Sequence, residues 1–190
     1  VRSVFADMNR HVNDGEPYEA VLESSLNARG TGRYEVLNFG VQAFSPLQQA
    51  LYLDEAVLRF SPDLIIMTLH NQDLGLIARR VVGVLNNRFP IPVPPLAAAV
   101  ERAGLDSGAT FEEVYRALQP VGDDILFWAV DRAASRAAQT GARFVLMGVT
   151  IATERPGRNI AAIRREALAR GYQYIDLTDV WEGAERKDIR

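Results

Sequence analysis

Two short polar clusters, Asn38-Phe39-Gly40 and His70-Asn71-Gln72-Asp73, hold most of the residues in this chain whose types and spacing suit chemistry. Each ends an apolar run of strand length, Tyr34 to Asn38 and Leu64 to Leu69, and a helix start at Ser45-Pro46-Leu47-Gln48 lies between the two. Strand, glycine turn, helix, strand sets polar groups at the carboxyl ends of parallel strands, where open α/β sheets bind their ligands. Asn71 and Gln72 carry amides that donate hydrogen bonds. His70, with Asp73 three residues on, has the residue types of a base and its carboxylate, and equally those of a histidine bonded to its own turn. Gly40 has a plainer role open to it as well, that of letting the chain turn at a strand end.

Other chemistries find little footing. The chain has no cysteine, which excludes thiol catalysis, disulfides and cysteine-ligated metals, and its two histidines, His11 and His70, are too far apart for helical pairing on zinc. No Gly-x-Gly-x-x-Gly follows a strand and no Gly-Lys-Ser/Thr occurs, so nucleotide cofactors have no cradle. A net charge of −3 with both signs scattered gives no footprint for nucleic acid. No apolar run reaches the roughly 18 residues of a membrane span, and Val1 does not open a signal peptide. Neither compartment nor oligomeric state leaves a mark in these residues.

The elements that must position the clusters alternate along the chain. Tyr18, Val21, Leu22 and Leu26 recur at helical spacing before Gly30, predicting a helix over 16–29 with a glycine stop. Tyr34 to Asn38 is the first clear strand. Ser45-Pro46-Leu47-Gln48 has both ends of a capping box and proline at the first helical position, for a helix running to about Phe60. Leu64 to Leu69 and Arg143 to Thr150 are apolar runs of strands buried on both faces. Ile160, Ile163, Ala167 and Leu168 mark a helix stopped by Gly171, and Tyr172 to Leu177 is the last strand. Four strands separated by helices predict a three-layer α/β/α sandwich on a mostly parallel sheet. Residues 75–140 break the alternation: Phe89-Pro90-Ile91-Pro92-Val93-Pro94-Pro95 forbids a helix, and helices are expected near 96–103, 111–118 and 123–139. The expectation is one domain over 1–190 with a helical, cap-like insertion over 75–140.

Asn38-Phe39-Gly40-Val41, the helix that follows, and Pro62-Asp63-Leu64-Ile65-Ile66 running to Asn71-Gln72-Asp73 resemble the second and third sequence blocks of the SGNH hydrolases, the GDSL-type esterases and lipases. Tyr172 to Val180 is similar to the last strand before that family's Asp-x-x-His block. The resemblance implies a flavodoxin-like sheet and a serine ester hydrolase of small acyl or acetyl esters, working through an acyl-enzyme without cofactor or metal. It implies Gly40 and either Asn71 or Gln72 as oxyanion donors, with Asn38 and Asp73 in the pocket. In place of the family's Asn-Asp this chain has Asn71-Gln72-Asp73, so either amide fills the position. The nucleophile block and the terminal Asp-x-x-His block are degenerate or absent. Ser3 in Val1-Arg2-Ser3 is the residue that can be laid over the Gly-Asp-Ser serine, with no strand expected ahead of it, and His70 is the candidate base. Asp176 and Asp179, without a histidine, suit loop caps. The reading favoured here is a hydrolase whose two missing blocks lie outside these residues. The alternative is a non-catalytic relative that keeps the sheet and pocket and binds a ligand or partner.

Overall fold

The computed structural model describes residues 2–5, 18–41, 43–150 and 160–179. His11, Val180 and Trp181 therefore lie outside the described residues.

Five parallel strands form one sheet in the order β2-β1-β3-β4-β5: β1 (Arg2–Phe5), β2 (Glu35–Asn38), β3 (Leu64–His70), β4 (Arg143–Val149) and β5 (Gln173–Leu177). The sequence predicts four of these. The fifth is β1, so the first strand of the sheet is present, and Ser3 lies inside it. Ser3 pairs with Val36 on one side and Leu64 on the other. A four-residue strand that is half polar shows no pattern of its own; pairing on both edges makes it a strand.

Helices α1 (Tyr18–Ala28), α2 (Pro46–Tyr52), α6 (Gly122–Gln139) and α7 (Ile160–Ala169) connect the strands, and α3 (Asp73–Asn86), α4 (Pro94–Arg102) and α5 (Phe111–Leu118) precede α6 within the long β3–β4 connection. The helix α3 is not among those expected for 75–140. Its Leu74, Ile77, Ala78 and Val81 are all buried at helical spacing. α2 starts as its capping residues predict, with the Gln48 side-chain oxygen accepting from the Ser45 N–H at 3.2 Å. It extends to Phe60 as expected, but only by changing type. Leu53–Val57 is a π turn in which the Leu58 N–H reaches back to the Leu53 carbonyl, and a 3₁₀ turn over Leu58–Phe60 ends it. Asp54 on the π turn is gripped from α6 by Arg132 at 2.7 Å and by Arg136. Gly30 and Gly171 close α1 and α7 at φ +67° and +82°, where a side chain would strain the backbone.

Strand alternation divides the core. Ile65, Met67 and Leu69 of β3 and Leu146 of β4 face the layer made by α2 to α7, whereas Ile66, Val145 and Met147 face the other side, where Tyr18 and Leu22 of α1 pack. Leu69 and Leu146 are wholly buried, each contributing about 1.5–3 kcal/mol of burial free energy. Trp128 packs partly buried against this core with the Arg132 guanidinium 5.9 Å from its ring centroid, which is packing, as its isolation in the sequence suggests. Among the described residues no helix is long and apolar enough to cross a membrane.

β4 and β5 meet most tightly at Gly148. A Cβ built there would lie 1.7 Å from the Tyr174 hydroxyl, so the position has room for hydrogen alone. That hydroxyl is buried with no hydrogen-bond partner among the described residues. Burial first, and the nearby Asp176 charge second, push Tyr174 up to about 12, so the phenol stays protonated. Gly148→Ala is expected to cost about 1–3 kcal/mol by overpacking. Tyr174→Phe is expected to be neutral or stabilising by about 1 kcal/mol, because it removes an unpaired buried group, and to recover part of the Gly148→Ala loss when combined with it. Urea unfolding of the three variants measures both effects.

Candidate functional site at the carboxyl edge

The strand order reverses direction between β1 and β3, and the site expected from the sequence borders that point. Phe5, the last residue of β1, pairs with Asn38 and with Ile66. β3 runs four residues beyond Ile66, to His70, so its end stands above the end of β1.

The β2 side is a closed turn. The Asn38 side-chain oxygen accepts from the Gly40 N–H at 2.7 Å, and its Nδ2 donates to Glu19 Oε1 of α1 at 3.1 Å. Glu23, one turn further along α1, accepts from the Val36 N–H at 2.7 Å on the outer edge of the sheet. These bonds fix the end of β2 to α1. They also occupy the Gly40 N–H, the group expected as an oxyanion donor, with an acceptor from its own turn.

The β3 side is built around Asp73, the first residue of α3 and 1 % exposed. Its Oδ2 accepts from the His70 N–H at 2.9 Å, and its Oδ1 lies 3.1 Å from His70 Nε2. The carboxylate also sits at the amino end of the α3 dipole, which favours its charge. His70 Nδ1 accepts from the Gln72 N–H at 3.1 Å. His70 Nδ1 is thus engaged within the turn, while Nε2 lies at ion-pair distance from Asp73 Oδ1 without a hydrogen bond between them. Of the two roles the sequence leaves open to His70, this geometry is that of the locally bonded histidine.

Ser3 and His70 are not brought together. Ser3 pairs with Leu64 at the start of β3, and His70 ends that strand. Six residues at roughly 3.3 Å each separate them by ~20 Å, far beyond the hydrogen-bond reach of a nucleophile and its base. Asn38, Gly40, Asn71, Gln72 and Asp73 do gather along the carboxyl edge. Asp176, near the end of β5, accepts from the Thr178 hydroxyl at 2.6 Å and N–H at 3.1 Å, and these bonds in that order, with the Arg164 charge as a weaker cause, hold it below the usual carboxylate range. It caps its own turn, the role its sequence context suggests.

A cavity of about 550 Å³ opens beside the β3–α3 turn, within the usual range for small-molecule sites. Asn71, Gln72 and Arg79 line it from the β3–α3 turn and α3, and Phe111, Glu112 and Tyr115 line it from α5. The apolar crevices beneath α2 are smaller, about 30 and 120 Å³. The α5 wall is the part of the site that sequence reading misses. Its signal was present, since Phe111 and Tyr115 are four residues apart on a helix that opens with a capping pair, Thr110 and Glu113. Among the described residues no His, Asp and Glu group is arranged to hold a metal ion.

No family model and no curated protein matches the chain. Solved structures do. An acetyl xylan esterase, AlAXEase, superposes with a TM-score of 0.57 at 15% identity, over 100% of this chain and 83% of that one. TesA gives 0.56 at 16% identity, over 91% and 76%. The psychrotrophic esterase EstA from Pseudoalteromonas sp., in a structure inhibited by monoethylphosphonate, gives 0.55 at 9% identity, over 93% and 76%. The chain has the SGNH-type fold, a three-layer α/β/α sandwich.

If Asp73 is the clamp of the β3–α3 turn, Asp73→Ala strands the His70 N–H without its acceptor. A loss of about 1–3 kcal/mol in unfolding free energy is expected. Chemical denaturation followed by circular dichroism checks it, and an unchanged midpoint would refute the clamp.

Proposed function

We propose that this protein binds a small acyl or acetyl ester at the carboxyl edge of its sheet, in the cavity between the β3–α3 turn and α5, and holds it without turnover. The observation that carries this reading is the arrangement of the expected catalytic pair. Ser3 stands at the far end of the strands from His70, and His70 Nδ1 accepts from the backbone of its own turn. Residues 6–17, which follow β1, begin Ala6-Asp7-Met8 and hold no serine, threonine or cysteine to act in place of Ser3. An acyl-enzyme needs an activated nucleophile within reach of a base, and loss of one triad member costs on the order of 10⁴ in rate. What remains is a cavity lined in part by Asn71 and Gln72, residues whose amides suit hydrogen-bonding to an ester carbonyl.

The second reading, a serine ester hydrolase, is favoured by the fold, since two of the solved structures that match, AlAXEase and EstA, are esterases by name. On that reading Gly40 and Asn71 or Gln72 bind the oxyanion, and the Gly40 N–H must leave Asn38 to do so. Nucleophile and base then come from outside the described residues. Loss of one such donor lowers the rate by about 10²–10³.

A fluorophosphonate probe separates the two. Binding without turnover predicts no labelled serine in the native protein, together with shifts of the Asn71 and Gln72 side-chain NMR signals when triacetin is added. Stoichiometric labelling of one serine would establish the hydrolase reading and overturn the first. Absence of both labelling and shifts would overturn the ester reading altogether.

A further inference from the structure

The turns that end β2 and β3 are closed by the same kind of bond, made with different side chains. In each, a side chain accepts from the backbone N–H two residues on: Asn38 Oδ1 from Gly40 at 2.7 Å, and His70 Nδ1 from Gln72 at 3.1 Å. An amide oxygen accepts whatever the pH near neutrality. An imidazole nitrogen accepts only while it carries no proton, because in the imidazolium both ring nitrogens are donors. Histidine is also the side chain that changes charge near neutrality. The β3 turn is thus closed by a bond that a proton opens, and the β2 turn is not.

The surroundings of the ring give the cation a counter-charge. The His70 side chain is 15% exposed, so water reaches it, and Asp73 Oδ1 already lies 3.1 Å from Nε2. Among the described residues Asp73, in the first turn of α3, is the charged group at ion-pair distance from the ring. On β4 the residue paired with His70 is Val149, which carries no charge. Arg79 of α3 and Glu112 of α5 line the cavity, and neither forms an ion pair with the ring. Protonation therefore exchanges one interaction for another. The Gln72 N–H would meet a second N–H on Nδ1 and must part from it, while the ring gains the attraction of the Asp73 carboxylate.

We propose that His70 is a proton-operated latch on the β3–α3 turn: neutral, it holds the Gln72 N–H, and protonated, it releases that N–H and pairs with Asp73. Gln72 is the N-cap of α3 and lines the cavity, so the latch gives one wall of the cavity two arrangements. The bond from the His70 N–H to Asp73 Oδ2 involves no titrating nitrogen and holds the strand end in both. The latch stands whether or not the ligand of the cavity is an ester.

A pH titration of the intact, isotope-labelled protein by NMR, reading the His70 ring nitrogens together with the backbone amides, tests the proposal. As the ring takes up its proton, the Gln72 amide signal is expected to move upfield with the same midpoint, and its protection from solvent exchange to fall about tenfold, the strength of one hydrogen bond. The Gly40 amide, held by Asn38, is expected to keep its position. Asp73→Asn keeps an acceptor for the His70 N–H without the charge and is expected to move the transition to lower pH. If that variant does not fold, the wild-type titration decides alone. A Gln72 amide that stays in place while His70 titrates overturns the proposal, and so does a Gln72 transition that persists in His70→Phe. A ring that stays neutral until the protein unfolds, or a transition unchanged in folded Asp73→Asn, overturns it equally.

Discussion

Right-handed crossover between parallel strands is the constraint on which the rest of this molecule depends. With the order β2-β1-β3-β4-β5, the first step moves one way across the sheet and every later step moves the other. α1 is therefore placed on one face, and the helices from α2 onward are placed on the opposite face. The division of the core follows directly, with Ile66, Val145 and Met147 on the side of α1 and Ile65, Met67 and Leu69 on the other. The direction reverses between β1 and β3, the point at which open α/β sheets bind their ligands. Because β3 is longer than β1, its last residues and the polar turn from His70 to Asp73 project past the end of β1.

The two turns flanking this point share a habit: each satisfies its own donors. Asn38 closes on the Gly40 N–H, Asp73 closes on His70, and His70 closes on the Gln72 N–H. Buried polar groups demand such partners, and satisfying them within four residues makes each turn stiff. The consequence is that three backbone donors of the edge, those of Gly40, His70 and Gln72, are already in use.

The sequence made some of this legible and hid the rest for physical reasons. β3 and β4 are continuous apolar runs because both faces are covered, and the edges of α1, α2 and α7 are written in glycine and capping residues. Arg2-Ser3-Val4-Phe5 carries no such mark, since its place in the sheet comes from neighbours on both sides and not from its own alternation. α3 has a periodic apolar face, but Gly75 and Gly83 dilute its helical propensity and the prolines that follow draw attention away. In the site, the residue types at the strand ends were readable and their mutual engagement was not. Nothing in the letters Asn38-Phe39-Gly40 states that the first side chain caps the third residue. The aromatic wall was hidden by distance, because α5 meets the β3–α3 turn only through the packing of α5 on α3.

The π turn at Leu53–Val57 reaches beyond its own helix. A π turn holds one more residue than an α turn of the same span, so it is the form an inserted residue takes when a helix absorbs it without breaking. Removing one residue there would let α2 continue as an ordinary α-helix, with the residues on either side kept in register and only those of the widened turn redirected. Asp54, now reached by Arg132 and Arg136 of α6, would swing off that pair. In a lineage of such chains, length at this position and charge on α6 should therefore change together, with a one-residue gap opposite the π turn wherever the two arginines have been replaced.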